Sequence, residues 1–222
     1  MITRVGVATN DEGFAAAASD SATRYVERGE SILVGITWGD PSSRLLTSVT
    51  CSGEQDLMLV GSPYVDGTLG QATQYAYLAK VMAAGTKTIT INFDGVATGD
   101  WWVQSYSSAD PFAFYDAGSL ATASGVGVGP TVNVVPTRDN ALLVGYSATT
   151  IGGYVVGSGY TLLANGSGFN VCSSEDDVDG GAAGSRAVDF TATSAAWMIA
   201  AAAFKPAEPT SGIVRSNSFG LF

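Results

Sequence analysis

Apolar and polar residues alternate with a period of two along much of the chain, the pattern of strands with one face buried. Residues 31–38 place Ile32, Val34, Ile36 and Trp38 on one face, and Gly39-Asp40-Pro41 follows as a turn. The clearest strand is 86–93, with Ile89, Ile91 and Phe93 facing in and Thr88, Thr90 and Asn92 facing out. Asp94-Gly95 after it has turn chemistry. The same reasoning predicts strands over 45–51, 56–60, 74–81, 101–106, 131–135, 141–148, 160–163 and 187–191. Residues 195–204 form an unbroken apolar run rich in alanine, which favours helix. No face of that run is polar, so a central strand with small side chains fits better. Turn residues recur about every 8–12 positions, the spacing of a sandwich or barrel. The expected fold is therefore all-β, an antiparallel sandwich over residues 31–205. Residues 1–30 form an N-terminal arm in this reading, with 12–24 either helical or extended, and 206–222 form a tail after Pro206.

Two short echoes suggest internal similarity. Leu33-Val-Gly35 recurs as Leu143-Val-Gly145, and Ala84-Gly-Thr-Lys-Thr-Ile89 recurs loosely as Ala183-Gly-Ser-Arg-Ala-Val188. The offsets differ, so this is either two related strand sets or recurrent hairpin chemistry.

Composition narrows the chemistry. Among 222 residues there is no histidine, which removes histidine-based triads and histidine metal ligands. Charged residues are only 14%, and 20 acidic against 10 basic side chains leave a net charge of −10. An acidic chain with scattered basic residues is a poor nucleic-acid binder. No segment has signal-peptide design or membrane-spanning length, so a soluble protein without a membrane partner is expected. Cys51 and Cys172 read as two half-buried thiols, though they could pair.

Three groups of residues could carry function. Glu175, Asp176, Asp177 and Asp179 are either a solvated loop beside Gly180-Gly181, a calcium site, or a carboxylate pair suited to glycoside hydrolysis. If extended, Glu175, Asp177 and Asp179 share one face. Trp101, Trp102 and Tyr106 form an aromatic group in which adjacent tryptophans face opposite ways. One tryptophan belongs to the core. The other is covered by a loop, meets a subunit, or stacks on sugar. Phe219, Leu221 and Phe222 give the tail an apolar tip, suited to docking on a neighbour or back on its own sandwich.

The series Ser31-Ile-Leu-Val-Gly, Ala84-Gly-Thr-Lys-Thr-Ile-Thr-Ile-Asn-Phe, Trp102-Val-Gln-Ser-Tyr-Ser, Asn140-Ala-Leu-Leu-Val-Gly, Gly157-Ser-Gly-Tyr-Thr-Leu and Ala196-Trp-Met-Ile-Ala-Ala-Ala-Ala-Phe resembles a known group. These are small all-β modules, jelly-roll or concanavalin-like, of tailed-phage virions and bacterial prophage and surface proteins. The resemblance covers about residues 31–205 and implies a jelly-roll sandwich that binds or builds and does not catalyse, with no cofactor. It is most like a capsid decoration (cement) protein. Such a protein would sit on the outer capsid surface after synthesis in the host cytoplasm. Its partners would be the major capsid protein and its own copies, as in a homotrimer, gripped through the two arms. The alternative is a tail-associated carbohydrate- or receptor-binding module.

Overall fold

The structure is a computed structural model that describes residues 1–150, 154–166 and 171–208. Within these the protein is all-β, and no helix is present among the described residues. The first half contains β1 (Thr3–Val26), β2 (Ser31–Gly39), β3 (Leu46–Cys51), β4 (Met58–Leu59), β5 (Tyr64–Asp66), β6 (Gln71–Leu78) and β7 (Gly85–Ser107). The second contains β8 (Ala121–Gly127), β9 (Thr131–Val134), β10 (Leu142–Thr149), β11 (Val155–Val156), β12 (Thr161–Gly166), β13 (Val171–Asp177), β14 (Arg186–Thr191) and β15 (Ala195–Phe204). All pairings are antiparallel, as the hydrophobic alternation requires.

The two halves are wound alike. In the first, one sheet runs β1-β7-β2-β6 with β4 and β5 on the far edge, and β3 pairs with β7. In the second, one sheet runs β12-β13-β10-β15-β8, and a smaller sheet runs β11-β14-β9. β1 and β7 each serve two layers. Their residues 3–11 and 101–107 pair in the inner sheet, while 19–26 and 85–92 pair beside β3 in an outer layer. This order is compatible with a jelly-roll winding.

Apolar side chains accordingly fill three spaces. Ile32, Val34, Ile36, Trp38, Ile89, Ile91 and Trp101 pack between the layers of the first half. Leu143, Ile199, Ala201, Val188 and Phe190 do so in the second. Leu33, Tyr75, Trp102, Val144, Tyr146, Met198 and Phe204 fill the seam where the two inner sheets meet. Both faces of the central strands of the inner sheets are thus covered, which explains why β2, β6 and β10 are buried at every position. The alanine run is β15, a central strand as expected, and its small side chains suit a sheet packed on both sides.

Several expectations are corrected. Residues 3–26 are not an arm but β1, paired along its length with β7. Asp94-Gly95 is not a turn: β7 continues through it, where Leu45 N donates to Asp94 Oδ1 (2.9 Å) and Arg44 Nε to Val96 O (2.7 Å). Strand 56–60 shrinks to β4. The outer-layer echo holds in space, because Ile89 and Ile91 on β7 and Val188 and Phe190 on β14 all face inward. The Leu-Val-Gly echo does not. Leu33 faces the seam, whereas Leu143 faces the outer layer of its own half.

One glycine marks the closest backbone approach. A Cβ on Gly99 would lie 2.0 Å from Thr37 O and 2.9 Å from Trp38 Cα, and backbone cannot step aside as a side chain can. Gly99→Ala is expected to lower unfolding free energy by about 2 kcal/mol or more, read as a shift of the denaturant midpoint. A midpoint equal to that of the parent would refute it.

Candidate functional site

The seam concentrates the polar chemistry of the interior. Tyr75 on β6 donates from its hydroxyl to Ala200 O (2.7 Å) on the opposite sheet. Tyr146 on β10 crosses the other way to Asp100 O (3.2 Å). At the edge where β1 meets the second half, Arg4 forms an ion pair with Asp176 on β13 and donates from Nε to Asp176 Oδ2 (2.9 Å). Tyr106 donates to the same oxygen at 2.8 Å. Burial pushes the Tyr106 hydroxyl well above its ordinary pKa, opposed by Arg4 and Arg24, so it remains a donor. Each contact joins one half of the chain to the other, and each gives a buried polar group a partner.

The acidic group therefore does not converge on an ion. β13 is hydrogen-bonded on both sides, to β10 and β12, so its residues alternate between faces and are not a solvated loop. Asp176 turns to the seam. Glu175 turns to the outer layer, where Gly157 N donates to its Oε2 (2.8 Å). Asp177 Oδ1 accepts from Asp179 N (3.0 Å), a local turn contact. Among the described residues no group of three or more Cys, Asp or Glu side chains comes together as a metal site. Burial pushes the Glu175 carboxyl up to about 8, over the opposing hydrogen bond from Gly157. Glu175 and Asp176 are both fully buried, so neither is presented to a polysaccharide.

The aromatic group is interior as well. Trp101 and Trp102 are each 1% exposed and Tyr106 is 0% exposed. Trp102 lies in the seam against Tyr75 and Tyr146 (ring centroids 6.4 and 6.3 Å). Trp101 points into the first half and donates from Nε1 to Asp20 Oδ2 (2.8 Å). The expectation that only one tryptophan could be core assumed one buried face; the sheet has two. These three residues are thus not surface contacts of the folded chain. Phe219, Leu221 and Phe222 lie outside the described residues. Cys51 is a free, buried thiol, pushed up to about 11 by burial and then by Glu54, while the side chain of Cys172 lies outside the described residues.

No protein-family model, curated protein or solved structure matches the chain.

Among the described residues the surface offers open pockets, two of which stand out, and strand edges. A pocket of about 500 Å³ lies around Arg138, which reaches Glu208 Oε1 (2.6 Å) and Asp110 Oδ2 (3.4 Å). Its cation is already neutralised by those carboxylates. A second pocket, of about 440 Å³, lies between Gln55, Lys80, Met82 and Phe112. Phe112 is 91% exposed and Met82 is also exposed. Glu54 braces this pocket, accepting from Met82 N (3.0 Å) and pairing with Lys87 Nζ (2.7 Å). Sequence reasoning missed Phe112, although its place in the loop after Asp110-Pro111, away from any alternating run, was a signal of exposure.

Proposed function

We propose that the protein is a virion structural component, a capsid decoration protein that binds the outer capsid surface and stabilises contacts between capsomers. One observation supports this most. The groups that could do chemistry are buried and engaged in structure: Asp176, Tyr75 and Tyr106 hold the two halves together, and Glu175 accepts from Gly157 N within the second half. A body braced in this way suits a load-bearing part more than a reactive one. With the N-terminal strand built into the sheet, contact with capsid falls to loops and sheet edges, and the negative charge favours a position away from packaged nucleic acid. Purified protein mixed with bare capsids should bind saturably and raise their melting temperature. Absence of both effects would overturn the proposal.

The second reading, a carbohydrate- or receptor-binding module, draws on Phe112. An exposed ring beside Lys80 and Gln55 offers a stacking face with polar neighbours. It predicts glycan-array signals that Phe112→Ala removes, and an array without signal would count against it.

A further inference from the structure

We propose that β8 is an assembly edge, at which a second copy of this chain adds its own β8 antiparallel and continues the inner sheet of the second half across both molecules. β8 ends that sheet, and no second strand pairs with it among the described residues. Its pairing with β15 is regular over all seven residues, so it is an unbulged edge. Ala121 and Ala123 pack inward, while Thr122, Ser124 and Val126 are exposed, Val126 at 79%.

The other edges are managed. β1 occupies the same place in the first half, yet its pairing with β7 breaks register four times, its sequence carries Arg4, Asp11, Glu12, Asp20 and Arg24, and it lies alongside β12. β4, β5 and β11 are two or three residues long. β9 is flanked by Pro130 and Pro136, and β3 gives Val49 O to Leu57 N (2.8 Å). β12, at the other end of the same sheet, is also uncharged but shifts register between Leu162 and Ala164, so among the described edge strands β8 alone is long, regular and without a charge or proline.

Charge selects the occupant. A chain of net charge −10 repels its own copies over most of its surface, but residues 117–137 carry no charge. Val128 and Val135 in the same stretch are also exposed. Two identical neutral edges meet across a twofold axis without like-charge contact, and the backbone supplies the ladder. Such pairing closes a dimer, not the trimer that the resemblance implies.

The test uses the full chain without capsids, so its outcome is separate from capsid binding. Sedimentation equilibrium over a concentration series should show a monomer–dimer equilibrium. Ser124→Lys and Val126→Lys, both at exposed positions, should each shift it to monomer with unchanged thermal melting. Amide exchange on the parent protein reads the same contact without substitution: β8 amides should slow as concentration rises. A monomer at every concentration, an oligomer unaffected by either lysine, or β8 exchange independent of concentration would overturn the proposal.

Discussion

Asp176→Ala should cost about 3–5 kcal/mol of folding stability, the range for removing one partner of a buried pair. Two donors converge on this carboxylate from the other half of the chain, the Arg4 guanidinium and the Tyr106 hydroxyl. Without it, Tyr106 keeps a fully buried hydroxyl with no acceptor, and Arg4 keeps a partly buried cation without its carboxylate. Tyr106→Phe removes only one neutral donor and should cost about 1 kcal/mol. Denaturant unfolding of both variants, followed by tryptophan fluorescence, gives the comparison. Trp102 is a suitable reporter because it lies in the same seam. If Asp176→Ala lost less than Tyr106→Phe, the cross-seam pair would not be what joins the halves.

The second large effect is on pH dependence. The Glu175 carboxyl is raised from 4.5 to about 8 by burial, so the folded protein holds a proton that the unfolded chain releases. Between those two values the native state binds more protons, and stability falls as pH rises. The stabilising contribution is complete below about pH 4.5 and is gone above about pH 8. At 1.36 kcal/mol per unit the full swing is roughly 5 kcal/mol. Glu175→Gln keeps an acceptor for Gly157 N and cannot ionise. Its unfolding free energy should be nearly level over that window, so it gains on the parent as pH rises and exceeds it by pH 9. The chain has no histidine, so no ordinary side chain titrates between pH 5 and 8 to mask this. Parallel curves for parent and variant would refute the assignment.

The fold class was legible because strand alternation survives in half-covered elements. Ile89, Ile91 and Phe93 on β7 display it plainly. β15 was legible for the opposite reason: ten apolar residues without a polar face suit a strand covered on both sides. β1 was not, since its 24 residues are charged, alanine-rich and interrupted by register breaks, and edge strands carry little hydrophobic pattern. β13 was missed because acidic residues argue for solvent. Only tertiary packing brings Arg4 and Tyr106 to Asp176, from more than a hundred and from 70 positions away respectively. The tryptophans show the same limit. Adjacent side chains point to opposite faces, but whether each face is covered depends on a whole second half that Trp101-Trp102 cannot announce.

The continuity of β7 separates the two halves in how they can open. In the first half β1 and β7 run unbroken from the outer layer into the inner sheet. Detaching that outer layer means pulling on strands whose other ends are locked in the seam, so any partial opening there draws on the free energy of the whole. In the second half β14 ends at Thr191 and β15 begins at Ala195, and β9 is likewise separate from β8. The layer of β9, β14 and β11 is instead tied to β10 and β15 by short links and by the packing of Val134, Val188 and Phe190, not by continuous strands. One winding, drawn once with continuous strands and once with broken ones, thus couples the two layers through the backbone in the first half and through side-chain packing in the second.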